Sequence, residues 1–438
     1  MKINRDFYLK KLIAKRENGR IKIITGIRRC GKSYLLFNLF KAHLLAQGVK
    51  ENQIISIGLD EIDNIEYRNP FRLNEYIKER TKNASQQYFV FIDEIQLSVP
   101  VRNPHLESDE ASVTFVDVLL GLMKRLNLDI YVTGSNFKML SSDILTQFRD
   151  RGDEIHVYPL SYCEVCDLFE NKALALEHFM VYGGMPYIYN LQSDDEKSQY
   201  LKELFKETYI KDVFERNNIK NEGEVLGLLL DFISSAIGSL TNPAKLSKRF
   251  DSEKKIKISS NTLSRYLEFF EEAYVINQAQ RFDVKGSRYF STPLKYYFAD
   301  IGLRNARLNF RQVEEPHIME NIIYNDLLRR GYNVDVGLVE KEVRVEGQRK
   351  KKQFEVDFVI NKGHQRCYIQ SALNVNSQEK REQETTPLKH IDDSFKKIVV
   401  VRNNIIPKHD DDGILYIGLE DFLLNDAILE FWHSWVKS

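Results

Sequence analysis

Eight residues near the start of the chain have the types and spacing of a loop that holds the phosphates of a nucleotide. Residues 26–33 read Gly-Ile-Arg-Arg-Cys-Gly-Lys-Ser and fit the pattern G-x-x-x-x-G-K-[ST]. Gly26 and Gly31 can adopt φ > 0, so that successive backbone N–H groups converge on phosphate oxygens at the positive end of a helix dipole. In such a loop Lys32 reaches the β- and γ-phosphates, and the Ser33 hydroxyl is a ligand of magnesium. The pattern therefore predicts ATP and Mg²⁺ as cofactors, bound by Gly26, Ile27, Arg28, Arg29, Cys30, Gly31, Lys32, Ser33 and Tyr34.

Two acids follow an apolar run about sixty residues further on. The run Tyr88-Phe89-Val90-Phe91-Ile92 is typical of a strand buried on both faces of a parallel sheet, and ligands bind at the carboxyl ends of such strands. We expect Asp93 to hold magnesium through its water shell, beside Ser33. Glu94 is expected to orient and deprotonate the attacking water. The alternative is a solvated turn that happens to carry two acids.

Three more polar residues are candidates for catalysis. Asn136, with Ser135, follows the strand pattern 129–134 and could sense the γ-phosphate, or could simply mark the end of a strand. Arg149 or Arg151 could stabilise transition-state charge, in cis or on a neighbouring subunit. The alternative for the arginines is surface pairing with a nearby aspartate.

These residues require a parallel sheet to bring them together. Apolar runs at 21–25, 54–59, 88–94, 129–134 and 154–158 predict five strands, and helical spacing follows the phosphate loop over residues 34–40. The predicted fold class is α/β, beginning with the parallel sheet of a P-loop NTPase.

The composition of the chain limits the number of domains and the classes of function that are open to it. With 438 residues the chain should form about three domains, and 43% hydrophobic with 29% charged residues is typical of a globular protein. Lys plus Arg and Asp plus Glu both number 63, so that net charge does not indicate nucleic acid; the basic run at 349–352 is either a local patch or a solvated loop. Four cysteines, with one C-x-x-C at 163–166, complete neither a disulfide framework nor a zinc site. The start of the chain lacks the apolar core of a signal peptide, and no apolar run is long enough to cross a bilayer, which predicts a cytoplasmic protein without a membrane partner.

Several motifs together resemble one family. They are residues 26–33, Phe91-Ile92-Asp93-Glu94-Ile95-Gln96, Thr133-Gly134-Ser135-Asn136, Pro159-Leu160-Ser161-Tyr162 and Tyr182-Gly183-Gly184-Met185-Pro186. This series is similar to AAA+-type ATPases of bacteria and archaea that carry an uncharacterised C-terminal domain, over nearly the whole chain. The resemblance implies ATPase activity, a Walker B segment at the acid pair, a sensor region at the Ser-Asn pair and a helical lid containing Gly-Gly-x-Pro. It leads us to expect a nucleotide-binding core at 1–170 and a lid at 171–221.

The middle third, residues 222–310, has the pattern of three helices and a hairpin, which suggests a winged-helix-like domain that either binds DNA or docks a protein. In the DNA-binding version the third helix reads the major groove and the hairpin contacts phosphates. The candidate DNA contacts are Asn261, Thr262, Ser264, Arg265, Lys285 and Arg288.

The last third, residues 311–438, has an α/β pattern similar to the restriction-endonuclease-like fold of PD-(D/E)XK proteins. Glu320 on a helix, Asp357 on a strand and Gln370 on the next strand would form its magnesium site. After Gln370 come Ser371 and Ala372, so that the lysine of the pattern is missing; Glu379 or Lys380 could substitute for it. We therefore expect a degenerate domain, structural or DNA-docking, rather than an active nuclease.

The leading hypothesis is an ATP-binding and ATP-hydrolysing enzyme whose turnover switches the lid and the C-terminal domains, acting on double-stranded DNA. The alternative is a nucleic-acid-binding or protein-docking regulator with weak or no nuclease activity, in which ATP serves as a switch. A protein partner or a homo-oligomer is compatible with both.

Overall fold

A computed structural model of the protein describes residues 3–104, 112–134, 151–210, 213, 214, 217, 219, 223–311, 314–345 and 348–430; the side chains of 207–209 and 343–350 are outside the description. The predictions for Ser135, Asn136 and Arg149 lie outside the described residues. The chain divides into two compact units, each described by itself below. The first is Met1–Pro159 with Glu272–Tyr274, and the second is Leu160–Glu271 with Val275–Ser438.

The first unit contains a five-stranded sheet in which every described pairing is parallel, in the order β2-β3-β6-β1-β7. All five strands of this sheet were predicted from the sequence. Their bounds are β1 Ile21–Thr25, β2 Ile54–Gly58, β3 Tyr88–Asp93, β6 Leu128–Thr133 and β7 Gly152–His156, and a separate pair is formed by β4 Val101–Arg102 and β5 Ser112–Val113.

Helices connect these strands. The helix after the phosphate loop, α2, consists of three consecutive segments, the middle one with π-type hydrogen bonding. Every residue of β1 and β3 is buried, and the core on one side of the sheet is filled by apolar side chains of α3 and α4. The helices are α1 Asp6–Ala14, α2 Lys32–Tyr34 with Leu35–Phe40 and Lys41–Ala46, α3 Pro70–Arg80 and α4 Phe115–Leu122, with short 3₁₀ turns at Glu51–Gln53, Ile62–Arg68 and Ile95–Leu97.

The second unit is built around a mixed eight-stranded sheet in the order β14-β15-β13-β12-β11-β10-β8-β9. β12, β13 and β15 pair in parallel, whereas β10 and β11 form a long antiparallel hairpin. The strands are β8 Ile276–Asp283, β9 Arg288–Phe298, β10 Asn333–Val345, β11 Gln348–Lys362, β12 Gln365–Ala372, β13 Lys396–Val401, β14 Lys408–His409 and β15 Leu415–Gly418.

Ten helices of the second unit are described, and several begin with a side-chain cap: Asn242 caps α9, Asp300 caps α11 and Ser377 caps α13. They are α5 Tyr162–Val165, α6 Lys172–Tyr182, α7 Asp194–Glu203 continued by the π-type segment Leu204–Ile210, α8 Gly223–Ser235, α9 Pro243–Lys254, α10 Ser260–Glu272, α11 Ile301–Arg307, α12 Glu315–Arg329, α13 Gln378–Lys389 and α14 Leu419–Leu424, with 3₁₀ turns at Cys166–Leu168, Pro186–Asn190 and Asp426–Leu429.

The hairpin predicted as a wing has neighbours that the sequence did not indicate. β8 and β9 pair with each other as expected, but β8 also pairs in parallel with β10 at Val336, Gly337 and Leu338. The strands of the middle third therefore lie in the same sheet as those of the last third. The division at residue 310 and the winged-helix-like assignment stay predictions.

The Gly-Gly-x-Pro element is a point of close backbone approach. A Cβ on Gly183, which has φ +70°, would meet the Asp300 carboxylate at 2.3 Å, and a Cβ on Gly184 would lie 1.9 Å from the carbonyl oxygen of Leu160. The Gly184 N–H donates to Asp300 at 2.6 Å. Only glycine fits both positions, because any side chain would displace the buried carboxylate or the strand-like segment at Leu160.

Across the described ranges, we found no helix with both the length and the apolar character that a membrane-spanning segment requires.

Candidate functional site

The phosphate loop has the backbone conformation that the sequence predicts. Gly26 has φ +137° and Gly31 has φ +99°, and Arg29 is also left-handed at φ +64°. A Cβ at residue 26 would lie 2.1 Å from the Val157 carbonyl oxygen, so that glycine is required there for space as well as for conformation. The left-handed residue at 31 directly precedes helix α2, which places the loop at the positive end of that helix.

Lys32 is a buried cation held by backbone oxygens. Its side chain is only 4% exposed. The ammonium donates to the carbonyls of Gly26 at 2.9 Å and Ile27 at 3.1 Å. Among the described residues no carboxylate lies within salt-bridge distance of it. A buried ammonium without a counterion is costly, so the loop is arranged to receive an anion.

Arg5 forms hydrogen bonds to the phosphate loop and to the segment after β7, and this role was not predicted from the sequence. Its guanidinium donates to the Cys30 carbonyl at 3.0 Å and to the Tyr158 carbonyl at 2.7 Å, and it lies 4.6 Å from the centre of the Tyr8 ring. The Cys30 thiol in turn donates to the Val157 carbonyl at 3.2 Å. The middle of the loop is thus attached to helix α1 and to the segment after β7.

The acid pair lies at the carboxyl end of β3. Because all strands of the sheet are parallel, this end shares an edge with the phosphate loop, with β6 between β3 and β1. Asp93 is 8% exposed and accepts a hydrogen bond from the Thr133 hydroxyl of β6. That hydroxyl also accepts from the Glu94 N–H at 3.1 Å. Thr133, which was quoted in the sequence only as part of a motif, therefore positions both acids.

Glu94 has a constrained position. Its backbone is left-handed at φ 50°, which is rare for a glutamate and turns the chain sharply after β3. Its carboxylate accepts a hydrogen bond from the side-chain amide of Gln96. Gln96 thus holds the Glu94 carboxylate, while Thr133 holds the Glu94 backbone N–H.

A cluster of polar side chains lies next to the phosphate loop, on β1 and on the edge strand β7. The Thr25 hydroxyl donates to Glu154 at 2.7 Å and lies 3.0 Å from His156 Nδ1. The His156 ring is 4.8 Å from the ring of Tyr274, one of the three residues that the chain contributes to this unit from far downstream. Burial, together with the positive charge of Lys32, lowers the pKa of His156 to about 3. His156 is therefore neutral at physiological pH and adds no positive charge beside Lys32.

Arg151 is exposed, and its backbone carbonyl accepts from Ile21 at 3.0 Å. Asp153, which was a candidate partner for it, pairs instead with Lys15 and Arg20, both at 3.2 Å. The catalytic role of Arg151 stays a prediction.

In the second unit, Glu320 and Asp357 both lie near a lysine that the sequence did not indicate, and Gln370 accepts a hydrogen bond from the Asp357 N–H at 3.4 Å. Lys295 of β9 is buried, and its ammonium lies 2.8 Å from Glu320, 2.8 Å from Glu355 and 3.9 Å from Asp357. The Tyr297 hydroxyl also donates to Glu320, at 2.6 Å. A buried ammonium therefore lies beside Glu320 and Asp357. The substitution of the missing lysine by residue 379 or 380 stays a prediction.

The charges of this group largely compensate one another. Burial alone would lower the pKa of Lys295, but the carboxylates of Glu320, Asp357 and Glu355 raise it above its usual value. Burial and the charge of Glu320 raise the pKa of Asp357 well above its usual value, which favours a neutral carboxylic acid. Gln370 is occupied as well, since its amide donates to Glu384 at 3.2 Å. Within the described part of the chain, no group of three or more His, Cys, Asp or Glu residues is arranged to hold a metal ion.

The predicted DNA contacts of the middle third are partly accessible. Asn261 and Arg265 are exposed one turn apart on α10, whereas the N–H of Thr262 is used by the Ser259 hydroxyl, which begins the helix. Lys285 and Arg288 are exposed at the turn between β8 and β9. Their role in DNA binding stays a prediction.

Comparison with known proteins divides the chain into three parts. A family model described as an AAA domain matches residues 18–166. Two further models, described as domains of unknown function (DUF8612 and DUF4143), match residues 174–314 and 316–422.

Two relatives match nearly the whole chain. An uncharacterised protein of Haemophilus influenzae is 29% identical over 428 residues, covering 96% of this chain and 98% of that protein. An uncharacterised protein of Methanocaldococcus jannaschii is 29% identical over 452 residues, covering 98% of this chain and 90% of that protein.

Solved structures with some similarity include the Walker-type ATPase of Pyrococcus abyssi, with a TM-score of 0.45 and 16% identity over 70% of this chain and 96% of that chain. The Aeropyrum pernix Orc1 protein, solved in complex with DNA, has a TM-score of 0.32 and 10% identity over 70% of this chain and 92% of that chain.

The conformation of the phosphate loop, the parallel sheet and the AAA-domain match all indicate the same fold. The first unit has the fold of a P-loop NTPase, of the AAA-type ATPase class. The second unit is a mixed-sheet domain that coincides largely with the two matches of unknown function.

Proposed function

We propose that the first unit binds ATP with magnesium and hydrolyses it, and that turnover switches the second unit on DNA. The observation that carries this proposal is the state of Lys32, a buried ammonium whose hydrogen bonds within the described ranges go to two carbonyls of a glycine-containing loop. A triphosphate would supply negative charge beside Lys32, and a glycine-containing loop at a helix N-terminus is suited to its oxygens.

The residues divide into two roles. Residues 26–34 would hold the phosphates, with Lys32 neutralising them, and Ser33 and Asp93 would hold magnesium. Magnesium, when bound, neutralises charge that develops on the phosphates. Glu94 is the proposed base for the attacking water, because its carboxylate follows a buried strand at the edge of the sheet where the loop lies.

Two variants test the roles separately. We expect Lys32→Ala to lose ATP binding and to lower ATP hydrolysis at least about 100-fold, because the phosphates lose a buried cation. Glu94→Gln should keep ATP binding while hydrolysis falls about 100-fold or more, because only the base is removed. Binding is measured by titration with a fluorescent ATP analogue and hydrolysis by phosphate release. Equal hydrolysis by Lys32→Ala and the unmodified protein rejects the proposal.

For the second unit we propose a docking role rather than DNA cleavage. The observation that favours it is the group around Lys295, in which an ammonium occupies the space between the carboxylates of Glu320 and Glu355. The same restriction-endonuclease-like arrangement without a free metal site would serve a regulator that binds DNA and does not cut it. Incubation of the full chain with plasmid DNA and Mg²⁺ or Mn²⁺ should leave the plasmid uncut; nicking that is lost in Asp357→Asn would contradict this role.

The predicted domain plan belongs to the same proposal. In it, residues 1–170 form the nucleotide core, 171–221 the lid, 222–310 a winged-helix-like part and 311–438 the nuclease-like part. Helices α8, α9 and α10 followed by the β8–β9 hairpin support the winged-helix-like part.

A further inference from the structure

The β10–β11 hairpin extends beyond its neighbours in the sheet. β8 pairs with β10 only as far as Leu338, and β12 pairs with β11 only from Phe358 onward. The two strands nevertheless continue to pair with each other up to the pair formed by residues 345 and 348. We call residues 340–345 and 348–353 the basic ribbon. Its six paired positions span about 17 Å at the usual rise per residue.

Burial changes where the basic ribbon begins. Val339 and Val356 are fully buried, whereas Lys341 and Glu342 on one strand and residues 351–353 on the other are exposed. At Lys341, Glu342 and residues 351–353 the ribbon therefore leaves the core and presents these side chains to solvent.

Charge is concentrated in this segment. Residues 340–353 contain six basic and three acidic residues, a net charge of +3, although the net charge of the whole chain is zero. One of the cations, Lys351, is partly compensated by Glu340 at 3.5 Å. The excess is therefore a local feature, which the composition of the chain conceals.

Two lysines of the ribbon share one face. Lys341 and Lys352 are directly paired in the register, so that their side chains leave the ribbon on the same side. The Lys341 ammonium lies 3.1 Å from Nδ1 of His390, and the Lys352 ammonium lies 5.0 Å from the centre of the Phe354 ring, which itself packs against His390 at 4.9 Å. Among the described residues neither ammonium has a carboxylate within salt-bridge distance.

A third lysine adds to the same face. Burial, with the positive charges of Lys341 and Lys285, lowers the pKa of His390, so that its ring is neutral and accepts from Lys341. Lys285 pairs with Asp392 at 3.1 Å. Cations thus converge around the His390 ring, and among the described residues Asp392 pairs with one of them. The remaining positive charge favours a bound anion.

We propose that the basic ribbon enters the major groove of duplex DNA, with Lys341 and Lys352 contacting phosphates. The groove is about 12 Å wide and admits a two-stranded β-ribbon. The Lys341–Lys352 pair places two positive charges at one level of the ribbon, and such local positive charge suits a polyanion. The segment has no aromatic residue between 340 and 353, unlike a segment that inserts into a lipid surface. The inference rests on the DNA part of the proposed function and is independent of the nucleotide site.

The test uses the full chain without nucleotide and a fluorescent 30-base-pair duplex, titrated by anisotropy at several salt concentrations. We expect the double variant Lys341→Gln with Lys352→Gln to bind about tenfold or more weakly at 0.1 M salt. The slope of log K against log salt should fall by about 1.8, since each lost phosphate contact contributes about 0.9. Unchanged affinity and slope overturn the proposal, as does an absence of binding by the unmodified chain.

A charge-matched control separates the ribbon from general electrostatics. Lys78→Gln with Lys82→Gln removes two exposed lysines of the first unit, one in the last turn of α3 and one just after it, and it should leave DNA affinity unchanged. If both double variants lose DNA affinity equally, the proposal that the ribbon contacts DNA is rejected. The single strand of the same sequence should bind more weakly than the duplex; equal or tighter binding rules out the groove.

Failure of this inference is distinguishable from failure of the proposed ATPase. Lys32→Ala should keep full DNA affinity in the absence of nucleotide while losing ATP binding. If the ribbon variant keeps DNA affinity but the unmodified chain still hydrolyses ATP, only the ribbon is rejected.

Discussion

Two buried lysines, one in each unit, have opposite surroundings. Lys32 and Lys295 are 4% and 3% exposed. Lys32 donates to two main-chain carbonyls, whereas Lys295 lies between the carboxylates of Glu320 and Glu355 with Asp357 at 3.9 Å. In the part of the chain that the structure describes, the first ammonium has no carboxylate within salt-bridge distance and the second has several.

This difference separates a binding site from an internal ionic group. Burying an unpaired charge is expensive, and the chain tolerates it where a ligand completes the pairing. A lysine surrounded by acids needs no ligand, and it competes with any metal ion for the same oxygens. Burial and residue type are the same at both positions, so the partners alone distinguish the two roles.

The largest effect should come from the same substitution made at both lysines. Lys295→Met should destabilise the second unit by about 3–5 kcal/mol, because it leaves buried carboxylates without their cation. Lys32→Met should change the stability of the nucleotide-free first unit by at most about 1 kcal/mol, since the removal of an uncompensated charge offsets the two lost hydrogen bonds. Hydrogen exchange of peptides from β9 and from β1 resolves the two units.

A second change serves as the control for that pair. Glu320→Gln in the Lys295→Met background should recover part of the lost stability, because it removes one of the orphaned charges. Additive losses in the double variant, or a Lys32→Met protein as unstable as Lys295→Met, would contradict the comparison.

An intermediate effect on stability is expected from Asp300, a buried acid that accepts hydrogen bonds from backbone N–H groups. Asp300 accepts from Gly184 and Leu303, yet burial raises its pKa from 3.8 to about 6. The folded state therefore holds a proton that the unfolded chain has lost, and stability from this group falls as pH rises from about 4 through 6, by about 3 kcal/mol in total.

Asp300→Asn isolates this contribution, because it cannot titrate. The difference in free energy of unfolding between the two proteins, measured by denaturant titration from pH 4 to 7, should change in favour of the variant as pH rises. A difference that stays constant across this range would show that Asp300 is ionised throughout.

The smallest effect should come from Thr133, which positions the acids of the first unit. Thr133→Val removes the hydrogen bonds to Asp93 and Glu94, and we expect kcat for ATP hydrolysis to fall about tenfold, equivalent to about 1.4 kcal/mol. Thr133→Ser keeps the hydroxyl and should retain most of the activity, while the affinity for ATP should be similar in all three proteins. Loss of kcat in both variants alike would assign the effect to the methyl group and to packing.

Much of the first unit could be predicted because its signals are local. A glycine at 26 or 31 marks a φ that other residues avoid, and a continuous apolar run such as 88–92 marks a strand buried on both faces. Arg5 and Thr133 were missed for the opposite reason. Each acts on residues that are distant along the chain, and its own neighbours in sequence carry no sign of that contact.

The second unit was predicted less completely. Three helices and a hairpin of the middle third, and one helix and two strands of the last third, were anticipated, whereas β10, β13 and β15 were not. Lys295 was not connected to Glu320 and Asp357, because β9 and β11 are not neighbours in the sheet and their residues lie far apart in the sequence. The basic run at 349–352 left two interpretations open, and the register with β10 then placed Lys352 opposite Lys341.

By itself, the sequence determined the phosphate loop, the acid pair and the strands that carry them, because backbone conformation and burial of a short segment depend mainly on its own residues. Only the tertiary structure decided which buried lysine has acidic partners and which has none. Ion pairing depends on distances of a few ångströms between side chains that lie far apart in the chain, and strand register sets those distances.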